Sequence, residues 1–139
     1  MPKNLADLRA AARAARELAY ARYSQFTVGA AVETADGRRF TGANIENASY
    51  GLTICAERTA VFAAVLAGAK RIAAVAVAGP DGVTTPPCGA CRQVLAEFGA
   101  PDVPVSYARA DGGWTDTTLG ELLPAAFDPA TLEAARGIA

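Results

Sequence analysis

Apolar positions near the start of the chain recur at helical spacing. Leu5, Leu8, Ala12, Ala15 and Ala19 form one stripe within a run of helix formers. The stripe predicts a helix over residues 5 to about 20, with Arg9, Arg13 and Arg16 off it on a solvated polar face. Residues 26–34 and 38–44 read as two strands joined by a turn containing Asp36 and Gly37, a hairpin signal. After an irregular stretch at 45–53, helical composition returns over 55–66 and stops before Gly68. Residues 72–78 are an unbroken apolar run, which predicts a strand buried on both faces. A loop at 79–87 leads to a helix over 88–98, closed by Gly99 and Pro101. Two more strands, 103–108 and 114–118, flank an Asp111-Gly112-Gly113 turn, and short helical pieces at 119–123 and 129–136 end the chain. Strands alternating with helices imply an α/β layered domain whose crossovers make the later strands parallel. The initial hairpin makes the sheet mixed. The simplest arrangement is a three-layer α/β/α sandwich around a five-stranded mixed sheet. No repeat or linker divides it, so residues 1–139 are expected to be one domain.

Composition narrows the range of functions. Hydrophobic residues make up 52% of the 139 and aromatics only 7%, so close helix-on-sheet contacts are expected rather than aromatic clusters. A net charge of -1 gives no electrostatic reason to bind nucleic acid or an anionic membrane. The 72–78 run is far too short to span a bilayer. Lys3, Asp7 and Arg9 stand where a signal peptide needs an apolar stretch, so a cytoplasmic protein is expected. The 3 cysteines are an odd count that argues against a disulfide framework. With no histidine, proton transfer near neutral pH must use a perturbed carboxylate, a thiolate, a lysine or tyrosine, or water on a metal.

Two segments carry the chemistry: Cys55-Ala56-Glu57 and Pro87-Cys88-Gly89-Ala90-Cys91. Both sit where a loop turns into a helix, whose free N–H groups stabilise thiolates. Cys88 and Cys91 are one helical turn apart, so their sulfurs point the same way, and Cys55 can complete a trigonal face around zinc. Structural zinc sites are closed by four protein ligands, whereas catalytic ones leave room for water. No fourth cysteine exists here. Oxygen ligands stay possible, but an open site fits better. Zinc lowers the pKa of bound water toward about 7, yet three thiolates oppose that effect. Arg58 is placed to hydrogen-bond the sulfurs and offset their charge. Glu57 can reach the water without coordinating the metal. Read alone, Glu57 is equally an acid complementing a helix N-terminus. Cys88-Gly-Ala-Cys91 alone also fits a thioredoxin-type redox pair, and the three cysteines a structural zinc module.

Cys-Ala-Glu with Pro-Cys-x-x-Cys resembles the signature of zinc-dependent nucleobase deaminases. More closely, the chain resembles the small homotetrameric cytidine deaminases. The matching segments are 20–24, 26–31, Asn44-Ile45-Glu46-Asn47-Ala48-Ser49-Tyr50, 55–60, 87–94 and 121–124. The resemblance implies that Cys55, Cys88 and Cys91 hold one zinc per subunit and that Glu57 shuttles protons. It implies further that Asn44 and Glu46 bond the ribose 3′-hydroxyl and that Phe26 covers the pyrimidine. The backbone around Ala56 and Cys88 would contact the base and the oxygen on the metal. Tyr50 and Phe127 match positions that complete a neighbouring subunit's site, and Arg58 matches an arginine that neutralises the thiolates. Arg22 departs from the proline usual in the family. Together these imply hydrolysis of cytidine and 2′-deoxycytidine in pyrimidine salvage. The alternative is a related aminohydrolase of blasticidin S type, which shares the zinc motifs and the Glu-Leu-Leu-Pro tail. Asn44 and Glu46, read without the resemblance, could simply cap a turn.

Overall fold

The computed structural model describes residues 5–138. The elements run α1 (Leu5–Ala15), β1 (Gly29–Thr34), β2 (Arg39–Ala43), α2 (Ala56–Leu66), β3 (Ile72–Ala78), α3 (Gly89–Phe98), β4 (Pro104–Ala108), β5 (Trp114–Thr118), α4 (Leu119–Leu122) and α5 (Pro129–Ile138). The five strands form one sheet in the order β2-β1-β3-β4-β5. β1 is antiparallel to both β2 and β3, β3 is parallel to β4, and β5 returns antiparallel to β4. The two crossovers, through α2 and α3, therefore leave β2, β3 and β4 running the same way, with β1 inserted against them. This is the expected mixed sheet.

The alternation within β3 decides which helix goes where. Ala74, Ala76 and Ala78 face α1 and meet Leu8 and Ala12, with Ala31 and Ala108 beside them. Val75 and Val77 face the other way, into a cluster with Val61 and Ala64 of α2, Leu95 of α3, Val32 and Val105. Small side chains on one face let α1 lie close, while branched ones fill the wider gap under α2 and α3. α2 approaches β2 at Gly42, where an added Cβ would overlap Thr59 Oγ1 and Ala60 N and lie 2.6 Å from Ala56 O. Two of these are backbone atoms that cannot swing aside. Gly42→Ala should therefore cost about 1–3 kcal/mol or more in a denaturant titration, because the whole N-terminal half of α2 has to shift.

Local pattern fails at two ends. α1 stops at Ala15, short of the expected end near 20, and a 3₁₀ turn at Arg16–Leu18 leads into extended backbone at Ala19. Tyr20 leaves the helix to pair with the 44–46 segment: its N–H donates to Asn44 O (2.9 Å) and its carbonyl accepts from Glu46 N (2.9 Å). β1 begins at Gly29 rather than 26, because the side chain of Asn44 replaces the ladder there. Asn44 Oδ1 accepts from Val28 N (2.9 Å), and Nδ2 donates to Phe26 O (2.8 Å).

The arginines of α1 do not form a solvated face as expected. Arg9 and Arg13 lie over the Trp114 ring, Arg9 also donates to Ser106 Oγ and Asp116, and Arg16 donates to Gly79 O and Asp81. They fasten α1 to β5 and to the loop after β3. Lys3, part of the charged start noted above, lies outside the described residues. Among those described, no helix is long and apolar enough to cross a membrane.

Candidate active site

The site lies where the N-termini of α2 and α3 meet the Thr84–Pro86 loop and the irregular segment leading into β1. Cys55 is the residue before the first turn of α2, and Cys88 the residue before the first turn of α3, both in extended conformation. Cys91 is buried in α3. The Cys55 and Cys88 sulfurs are 3.8 Å apart and those of Cys88 and Cys91 3.4 Å, and all three Sγ atoms lie within 4.8 Å of one another. Four-coordinate zinc with Zn–S bonds of about 2.3 Å holds its sulfurs roughly 3.8 Å apart. The donor set and its spacing therefore fit one zinc ion. The Glu57 carboxylate lies outside this cluster of three sulfurs. A Cys-x-x-Cys redox pair would explain neither the third sulfur nor the buried acid.

Electrostatics follow from the crowding of three thiols. Arg58 Nη2 donates to Cys55 Sγ at 3.2 Å, which puts a positive charge against one of the three sulfurs. The hydrogen bond from Cys91, aided by Arg58, brings the Cys55 thiol down to about 5. Cys91 moves the opposite way, because its hydrogen to Cys55 and its burial hold the proton on. Zinc bound there would displace the proton that Cys91 holds. Glu57 is only 4% exposed. Burial pushes its carboxyl up to about 7, with the Cys55 charge adding to the effect. The helix-end role alone does not account for an acid held this deep.

These groups open onto a cleft of about 360 Å³ lined by Phe26, Asn44, Glu46, Cys55, Ala56, Glu57 and Cys88, among others. Phe26 lines the cleft and is partly exposed. Glu46 is oriented from below: Oε1 accepts from Tyr23 N (2.9 Å) and Ser24 N (3.0 Å), and Oε2 accepts from Ser24 Oγ. The Ser24 hydroxyl lowers the Glu46 pKa further, so this carboxylate stays an acceptor. Asn44 keeps one Nδ2 hydrogen beyond the bond it spends on Phe26 O. Tyr50 and Phe127 do not line this cleft. Tyr50, 74% exposed, stacks edge-on to Tyr23 in a neighbouring basin, and Phe127, 61% exposed, lies past α4 with its carbonyl accepting from Gln93 Nε2. The cleft also includes Ser24, Val28, Thr53 and the Thr84–Pro86 loop, which motif reading did not single out. Ser24 and Val28 carried a signal only as members of matched segments, and Thr53 and the Thr84–Pro86 loop carried none. Arg22 lies over the Tyr23 ring, away from the sulfurs.

Three clustered soft donors, two of them lining a cleft, with a buried carboxylate alongside, define a zinc centre built for hydrolysis rather than a closed structural one. Residues 2–107 match the family model for the cytidine and deoxycytidylate deaminase zinc-binding region. A cytidine deaminase of Halalkalibacterium halodurans is 52% identical over 113 residues, which is 81% of this chain and 86% of that protein. The crystal structure of cytidine deaminase from Burkholderia pseudomallei superposes with a TM-score of 0.82 at 53% identity, covering 87% of this chain and 97% of that one. The Mycobacterium tuberculosis cytidine deaminase structure gives 0.78 at 43% identity, over 89% and 97%. The chain belongs to the cytidine and deoxycytidylate deaminase zinc-binding family.

Proposed function

We propose that this chain is a zinc-dependent cytidine deaminase, converting cytidine and 2′-deoxycytidine to uridine and 2′-deoxyuridine with release of ammonia. The observation that carries the reading is the buried Glu57 carboxylate beside three clustered sulfurs at the floor of a cleft large enough for a nucleoside. Cys55, Cys88 and Cys91 hold the metal, one per subunit. When bound, zinc supplies Lewis acidity that makes water a nucleophile near neutral pH. Glu57 takes a proton from the attacking water and delivers one to ring N3 as oxygen adds to C4. It then carries the remaining hydroxyl proton to the amino group, the C–N bond breaks, and ammonia leaves as the C4 carbonyl forms. Burial suits this task, since a carboxyl poised near 7 both accepts and returns a proton readily.

Phe26 covers the pyrimidine, the backbone at Ala56 and Cys88 meets the base and the reacting oxygen, and Asn44 and Glu46 receive the ribose hydroxyls. The ordered Glu46 carboxylate and the spare Asn44 hydrogen support that assignment. The cleft lining holds Glu46 and Glu57 and, among the described residues, no lysine or arginine. That charge balance favours free nucleosides over nucleotides. The exposed Tyr50 and Phe127, outside their own cleft, fit a homotetramer in which neighbours complete each site. Sedimentation velocity would show a species of four chains, and a monomer would remove both residues from the assignment. A single cytoplasmic domain acting in pyrimidine salvage goes with this reading.

Ammonia release should be fastest from cytidine and deoxycytidine and negligible from cytosine, CMP and blasticidin S. Turnover of blasticidin S with cytidine inert would overturn the substrate, and the relatives described above, named cytidine deaminases, favour the first outcome.

A further inference from the structure

Cys88 is the most exposed of the three cysteines, and the chain before it is poor in backbone donors because Pro86 and Pro87 have no N–H. Something else must hold it. Arg92, one turn into α3, is half-buried and donates from Nε to the carbonyl of Pro87 at 2.8 Å. Its Nη1 donates to the carbonyl of Leu122, the last residue of α4, at 2.9 Å. The guanidinium thus spans the residue before Cys88 and the C-terminal tail, and it satisfies a carbonyl that the end of α4 leaves open.

We propose that Arg92 is a positioning residue that fixes the Pro87–Cys88 peptide, and through it the Cys88 sulfur and N–H, using the α4 segment as its anchor. The peptide bond is planar and trans. Holding Pro87 O therefore sets the direction of the Cys88 N–H, which points the opposite way in the same plane. It also sets the Cα from which the sulfur departs. Arg92 itself does not line the cleft. Loss of its fork should loosen one of three zinc donors and misdirect the Cys88 N–H, while Phe26, Asn44 and Glu46 keep their places in the cleft. Gln93, the next residue, donates to Phe127 O at 2.8 Å, a bond to the tail rather than to Pro87 O, so its variant separates tail anchoring from control of Cys88.

The inference rests on the proposed deaminase reading for its kinetic part, and its metal part stands apart from it. Zinc release from the holoenzyme to a chromogenic chelator, and kcat and KM for cytidine, would be compared among wild type, Arg92→Met, Arg92→Lys and Gln93→Ala. Arg92→Met should release zinc about 10–100-fold faster and lose kcat by a similar factor, with a smaller change in KM. Arg92→Lys, with one ammonium in place of a planar fork, should fall between the two. Gln93→Ala should release zinc at the wild-type rate. Wild-type release and kcat in a folded Arg92→Met protein would overturn the proposal. If that variant does not fold, Arg92→Lys decides, since a wild-type release rate there would overturn it equally. Absence of cytidine turnover in the wild type would sink the substrate reading while the release rates still judge Arg92.

Discussion

Glu57→Gln should keep its zinc and lose nearly all deamination, with kcat falling by about 10²–10⁴-fold or more. Glutamine preserves the shape of a side chain that is almost wholly enclosed, and the sulfur cluster that holds the metal does not include the Glu57 oxygens. What disappears is the group that accepts and returns protons. The same carboxylate serves each transfer in turn, so the loss should lie at or above the top of that range. Metal content by mass spectrometry separates the two effects. A Glu57→Gln protein with full zinc and wild-type turnover would refute the shuttle.

Removal of one sulfur should be as damaging by a different route. Cys91→Ser replaces a buried donor with a hydroxyl that ionises far less readily, leaving two thiolates on a centre matched to three. Zinc content after dialysis against a mild chelator should fall well below one per chain, and activity should fall with it. Stability should also drop. Metal that binds only the folded chain contributes about 2.7 kcal/mol when free zinc is a hundred times its Kd, so added zinc should raise the melting temperature of the wild type and hardly move that of Cys91→Ser. An equal zinc-dependent shift in both proteins would remove Cys91 from the ligand set.

The metal site was the most legible part of the chain because its determinants are local. Cys88 and Cys91 meet through one turn of helix, and Cys55 and Glu57 belong to one helix start, so spacing alone carries most of the geometry. The absence of histidine did the rest, by leaving an all-sulfur set whose charge called for Arg58. The sheet was also readable, down to a doubly buried β3, because its Ala/Val alternation is a two-residue period with both faces covered.

What spacing could not reveal depends on partners far along the chain. Nothing near Tyr20 announces that its backbone will pair with the segment around Ile45, and nothing near Phe26 shows that an asparagine 18 residues on will take over its hydrogen bonding. The arginines of α1 read as solvent-facing because Trp114 and Asp116, about 100 residues away, could not be placed over them. The Thr84–Pro86 wall of the cleft has no motif at all and is brought in by Thr85 N–H donating to Ala108 O. Arg92 was read only as part of a matched segment; its function lies in two backbone carbonyls, which leave no trace in residue type.

The central claim is that three sulfurs hold one zinc on which cytidine hydrolysis depends. Its most direct test is to titrate metal-free protein with zinc and measure ammonia released from cytidine. Activity should rise in proportion to bound zinc, saturate at one ion per chain, and be abolished again by chelation. Turnover in protein verified to be free of metal, or no turnover at one zinc per chain, would contradict it.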